Sequence, residues 1–340
     1  MAGRALASLL LLSSLLLPAR PASAQSIEEV WAQGQQLMRR GEYGLAQQFY
    51  AAVAEQFGGS AAPRALLLQA RAALADGDTA SAEATLQALL AWLPGAGSEE
   101  EADALLTLAL TRRAAGDCNG ALRALAAYEV APGRLALGPY PALLRATCLG
   151  RIGDWQGQLA AARVALDIDG GGPRLTRIEI LERAAEALLK LGRREEALTF
   201  YEQCLALAGT RAYRAEMLFT TATIARALGR EDVDRYRAVV VELPETPRAP
   251  DALDALIEMG QGATVSPLQA GQVRLNARDY EAAVAMFDQV PSGTEDAGTA
   301  GLARATALVR LGREREAREV LVALAAAEPS VAARALLQLG

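Results

Sequence analysis

Few residues in this chain could do chemistry. No histidine occurs among its 340 residues, which removes histidine-dependent zinc sites, Ser-His-Asp triads and Cys-His dyads together. Three cysteines remain: Cys118, Cys148 and Cys204. Asp167-Ile168-Asp169-Gly170 begins as a calcium loop begins, but Ile178 stands at the twelfth position, where a carboxylate is needed, so the stretch reads as an interhelical loop. Gly260-Gln261-Gly262 has Val265 where a dinucleotide fingerprint needs its third glycine, and no strand pattern precedes it. Glu195 and Glu196 stand beside arginines at a helix start and read as surface charge. The sequence predicts no catalytic residue, no cofactor and no metal, and so no enzyme.

Composition points to the elements that remain. Hydrophobic residues make up 52% and aromatic residues only 5%, so the apolar mass is alanine and leucine. Those are the best helix formers, while strand-favouring β-branched and aromatic residues are scarce. The net charge of −6 argues against non-specific nucleic-acid binding, which rests on neutralising phosphates. Lys190 is the one lysine among 34 basic residues.

The N-terminus reads as an address. Arg4 gives a short positive start, Ala5 to Leu17 is apolar and closed by Pro18, and Ala22-Ser23-Ala24 supplies a small-residue cleavage site. Residues 1–24 are expected as a secretory signal peptide cleaved before Gln25. The apolar run is shorter than the roughly 20 residues a bilayer requires, and no later stretch reads as a membrane span. A periplasmic or secreted bacterial protein follows from this reading. Its mature form loses Arg4 and Arg20 and becomes more acidic.

The rest of the chain repeats. A turn recurs at Gly41, Gly77, Gly116, Gly153, Gly192, Gly229 and Gly312, with Arg278 taking the glycine slot in one copy. Intervals are 34 to 39 residues, apart from one of 49 between Gly229 and Arg278. Seven residues before each turn stand Gly34, Ala70, Ala109, Ala146, Ala185, Ala222, Gly271 and Ala305. Five after it stand Ala46, Ala82, Ala121, Ala197, Ala283 and Ala317, with Gln158 and Asp234 as exceptions. Nine after it come larger residues such as Tyr50, Leu86, Leu125, Tyr201, Phe287 and Leu321. Small residues let paired helices approach, and a large one fills the space beside them.

These landmarks resemble the tetratricopeptide repeat, a helix-turn-helix of about 34 residues. The resemblance covers residues 26–340 and is strongest over Glu186–Leu207, Gln272–Val290 and Thr306–Pro329. It implies an all-α, right-handed α-solenoid of about eight helical hairpins. Residues 25–243 are expected as a first repeat array, 244–264 as a Pro/Gly-rich hinge with a short extra helix from Asp251 to Met259, and 265–340 as a second block. Val331 to Leu339 reads as a first helix with no second following, so either that helix caps the array or the block is incomplete and the chain a fragment of something longer. A weaker similarity, carried by Pro250 to Phe287, is to the superhelical region of soluble lytic transglycosylases, which implies a link to peptidoglycan; the family's Glu-Ser motif is absent from the chain.

In such repeats the first helix lines the concave face. Ten residues before the turns lie Trp31, Leu67, Leu106, Leu143, Glu182, Phe219, Leu268 and Leu302. Two before them lie Arg39, Arg113, Arg151, Lys190 and Arg310. Trp31, Leu67, Leu106, Leu143 and Phe219 with that basic column are the candidate partner-binding surface, suited to an extended peptide carrying acidic groups. The plainer reading is helix packing for the stripe and dipole preference for the cations. Cys118 and Cys148 fall at the turn end of one helix interface and are the candidate disulfide, whereas Cys204 reads as a buried thiol. The expected function is an exported scaffold holding a protein or peptide in cell-envelope assembly, with peptidoglycan-associated machinery as a partner. The alternative is the helical part of a lytic transglycosylase whose catalytic domain lies elsewhere.

Overall fold

A left-handed backbone position at each predicted turn organises the molecule. In the computed structural model, which describes residues 26–59, 61–93, 98–327, 333, 334 and 337, Gly41, Gly77, Gly116, Gly153, Gly192, Gly229 and Gly312 all have φ between 74° and 85°. Arg278 adopts φ 64° in the same slot. At each of these turns the next residue's N–H donates to a carbonyl five residues back, as Asp117 does to Arg112 at 2.8 Å and Asp279 to Arg274 at 2.9 Å. This pairing closes one helix with a left-handed residue and satisfies its last carbonyls. Asp78, Asp117, Asp154 and Asp279, each following its turn residue, then accept from the backbone N–H three positions on and open the second helix. A Gly-Asp pair therefore ends one helix and starts the next within two residues.

The predicted secretory segment and most of the predicted final helix lie outside the described residues. Among those described there are helices and no strand. Contacts divide the chain into two units, Met1–Leu137 and Gly138–Gly340. The first holds three hairpins: α1 (Ile27–Arg39) with α2 (Tyr43–Phe57), α3 (Ala61–Ala75) with α4 (Thr79–Trp92), and α5 (Glu99–Ala114) with α6 (Cys118–Val130). The second unit begins with α7 (Tyr140–Arg151) and α8 (Trp155–Asp167), then α9 (Arg174–Lys190) and α10 (Arg194–Ala206). It continues through α11 (Arg211–Ala227), α12 (Val233–Glu242), α13 (Ala249–Glu258), α14 (Pro267–Asn276) and α15 (Tyr280–Phe287), ending in α16 (Ala297–Arg310) and α17 (Glu314–Ala327). Within each unit every helix packs on its neighbours in sequence, and first helices also meet the next first helix, as α3 meets α5 and α7 meets α9. That is the stacking of an α-solenoid.

The predicted small and large positions form the core. All eight residues seven before the turn are buried. A Cβ added at Gly34 would enter the Tyr50 ring, and one added at Gly271 would enter the Phe287 ring. Glycine stands there because a buried aromatic ring faces it; Ala70, Ala109 and Ala305 occur in copies whose large residue is a leucine, and Ala185 in one whose Tyr201 is only half-buried. Gln158, an exception to the small position, is fully buried and donates through its amide nitrogen to the Arg183 carbonyl at 2.8 Å. Gly150 opens the space for its amide oxygen. Asp234 has a different cause. After Gly229 the second helix starts two residues late, capped by Asp232, so Tyr236 takes the buried place and Asp234 faces solvent.

Residues 244–264, expected as a hinge, carry core. The extra helix is present as α13, and Leu243, Ala249, Ala252, Leu253, Leu256 and Val265 join one buried cluster with Tyr236, Val239, Val240 and Val273. Gly260, with φ 72° and the same turn hydrogen bonds, closes α13 as the other turns close their first helices. Only the short 3₁₀ turn Gly262–Thr264 follows where a second helix would stand. The long interval is thus a repeat reduced to its first helix.

Candidate functional site

The face predicted to bind is partly core. Trp31, Leu67, Leu106 and Leu143 are buried, so packing, and not presentation to a partner, accounts for that part of the apolar stripe. Arg64 lies 5.0 Å from the Trp31 ring centroid and covers it further. Phe219 is half-buried beneath Arg248, whose guanidinium stands 5.0 Å from its ring centroid. Arg248 is held there by a bidentate bond to Glu216 at 2.6 and 2.9 Å and a further bond to Asp251 at 2.9 Å. Hydrogen bonding to these carboxylates pushes the Arg248 pKa up, so the cation is fixed. Arg39, Arg151, Lys190 and Arg310 are exposed and Arg113 is half-buried. Lys190 leans over the Trp155 ring at 5.7 Å. Cys118 opens α6 in the first unit, Cys148 lies in the last turn of α7 in the second, and both are buried, as is Cys204.

Two other members of the same column do line open space. Leu268 borders a cleft of about 220 Å³ with Val240, Val241, Pro244, Gln269 and Gln272. Glu182 borders a larger one, about 340 Å³, between α9 and the start of α11. Its walls are Arg174, Leu175, Ile178, Glu179 and Glu182 from α9, Gly209 and the cap residue Thr210 from the loop before α11, and Tyr213 from α11 itself. α9 and α11 each run 17 residues, longer than any other described helix, and their N-terminal turns line this cleft. Thr210 caps α11 by accepting from the Tyr213 N–H at 3.2 Å, which fixes the Tyr213 backbone at the cleft wall.

The Tyr213 hydroxyl donates to Glu182 Oε1 at 2.8 Å. Burial, followed by that bond, pushes the Tyr213 pKa up and keeps the phenol protonated. Behind it, Cys204, Leu181 and Met217 form a buried cluster. Burial pushes the Cys204 thiol up to about 11 and the Tyr201 phenol up to about 12, so neither is poised as a nucleophile at neutral pH. Leu175 is 72% exposed, a large apolar side chain standing in water at the cleft rim. Column counting had placed Glu182 on this face and missed Arg174, Leu175, Ile178, Glu179 and Tyr213, which precede the column by one to two turns. The longer helical pattern before Glu182 was the available signal.

A family model for the tetratricopeptide repeat matches residues 178–210, the segment running from the wall of this cleft through α10 to the cap of α11. That one segment resembles a tetratricopeptide repeat. Three solved structures with a similar course are distant in sequence from this repeat protein. A tetratricopeptide repeat protein from Parabacteroides merdae is 14% identical, over 78% of this chain and 93% of its own, with a TM-score of 0.43. The apo form of the quorum sensor NprR from B. thuringiensis is 13% identical, over 88% and 97%, with a TM-score of 0.45. A thermophilic TPR protein from Thermus thermophilus is 22% identical, over 59% and 100%, with a TM-score of 0.37. No curated protein matches the chain. Among the described residues of this repeat protein, no helix is long and apolar enough to cross a membrane.

Proposed function

We propose that this repeat protein is a non-catalytic scaffold that binds an extended protein or peptide segment on the first-helix face of its second unit. The observation that carries the reading is the cleft between α9 and α11, where Leu175, Ile178 and the Tyr213 ring offer apolar surface beside charged groups. A few convergent polar groups around an apolar floor are what small binding sites consist of. Displaying a random peptide library against the full chain should select binders that Leu175→Asp abolishes. A library that yields none, or binders indifferent to that change, overturns the reading.

Export is part of the same proposal. Its support is the Arg4, Ala5–Leu17 and Ala22-Ser23-Ala24 pattern. Protein recovered from the periplasmic fraction should have a mass that begins at Gln25; a cytoplasmic form retaining Met1 sinks this part alone. Incubation with cell-wall sacculi should leave their turbidity unchanged, whereas clearing would mean that the chain cleaves peptidoglycan itself.

A further inference from the structure

The binding reading says where a segment would lie, and the charges say which segment. Arginine and glutamate are matched with unusual completeness along the second unit. Every glutamate on α9 to α13 other than Glu179 and Glu182 pairs with an arginine, mostly one repeat away. Glu179 makes no ion pair or hydrogen bond among the described residues. Glu182 is half-buried and bonds only the neutral Tyr213 hydroxyl through Oε1, which leaves Oε2 open. These two carboxylates sit one turn apart on α9 and both face the 340 Å³ cleft. Arg174 stands two turns nearer the helix start, its guanidinium lying against the Gly209 backbone. Leu175 and Ile178 separate it from Glu182.

We infer that the cleft between α9 and α11 takes a basic side chain of a peptide ligand, its cation held by Glu179 and Glu182, with an adjacent apolar residue against Leu175 and Ile178. The inference rests on the peptide-scaffold reading and narrows it to basic–apolar segments, the opposite of the acidic peptide that the arginine column alone suggested. Two acidic groups without cationic partners, at the wall of an apolar cleft, lower the energy of a cation placed between them and raise that of an anion. Arg174 at the far end fixes the direction, since it repels a basic group there.

Three labelled hexapeptides test this by fluorescence anisotropy on the full chain: alternating leucine–lysine, leucine–glutamate and leucine–glutamine. The lysine peptide should bind about tenfold more tightly than the glutamine peptide at low salt, the scale of one partly buried ion pair, and the glutamate peptide more weakly than either. The preference should shrink at high salt, because these charges are solvent-facing and screened. Combining Glu179→Gln with Glu182→Gln should abolish the preference while circular dichroism and Tm stay unchanged, since glutamine can still accept from Tyr213. Equal binding of all three, or tighter binding of the glutamate peptide, overturns the charge assignment and leaves the scaffold reading standing. Binding of none, together with an unproductive display library, overturns both.

Discussion

Gly34 and Tyr50 face each other across the first hairpin, with the tyrosine fully buried and the glycine leaving no room for a Cβ. Two effects oppose one another in Gly34→Ala. Alanine gains about 1 kcal/mol in a helix interior, whereas forcing an extra methyl into a filled core costs about 1–3 kcal/mol. The ring is walled in on all sides, so the clash should win and Tm should fall. Adding Tyr50→Leu to Gly34→Ala recreates the alanine–leucine pairing of Ala70 with Leu86 and should recover much of the loss; if the double change is no better than the single one, the pairing rule is wrong. Cys204 and Tyr201 give a second residue-level expectation. Both are acids whose folded pKa is raised by burial, the thiol from 9.0 to about 11 and the phenol from 10.0 to about 12. Their neutral forms are the ones the fold accommodates, so their contribution is complete below pH 9 and is lost as pH rises toward 12. The urea midpoint should therefore decline across that window, and less steeply in Cys204→Ala.

Between elements, arginine carries the contacts that link one repeat to the next. Glu202 bonds Arg235 at 3.0 Å, Glu216 bonds Arg248 at 2.6 Å and Arg226 bonds Glu258 at 3.3 Å, each partner one repeat along the chain. A guanidinium fork suits these carboxylate contacts better than an ammonium does, and it gives the near-absence of lysine a structural use. Exposure decides how much each pair is worth. Arg112 is 18% exposed, bonds Glu83 at 2.9 Å and also reaches the Gly120 carbonyl. Arg211 and Glu245 are 63% and 49% exposed. Arg112→Ala should cost about 1–2 kcal/mol by leaving a part-buried carboxylate and a carbonyl without their donor, while Arg211→Ala, which breaks a solvent-screened pair, should cost far less. Urea denaturation distinguishes them, and equal losses would show that the ladder's strength does not follow burial. None of this ladder was legible in the sequence, because residues a whole repeat apart leave no local pattern. The turns were legible, since glycine followed by aspartate states both a helix end and a helix start, and so were Gly34, Ala70 and the other small positions. Gly260 is not legible as a turn of the same kind, because no second helix follows it to keep the register.

At the scale of the whole chain, the cleft was the least legible feature. The repeat gives Glu182 and Leu268, which line clefts, the same rank as Leu67 and Leu106, which the stack buries. What separates them is local packing: Leu67 and Leu106 are buried in the stack, whereas Glu182 and Leu268 border open clefts. Stacking also shapes how damage spreads. Helices of the second unit meet chiefly near neighbours: α14 packs on α12, α13, α15 and α16, and α9 packs on α7, α8 and α10 and bonds α11 through Glu182 and Tyr213. Stability in such an array is close to a sum of repeat and nearest-neighbour terms, not a single all-or-none property. Gly271→Ala drives a methyl into the Phe287 ring, which belongs to the buried cluster joining α15, α16 and α17. Hydrogen exchange followed by mass spectrometry should therefore show faster exchange in α14 to α17 and unchanged protection in α9 and α10, four helices away. The peptide preference at the α9–α11 cleft should survive in the same variant. Uniformly faster exchange across the second unit would show that it opens as one block, and the cleft would then share the fate of a core it does not touch.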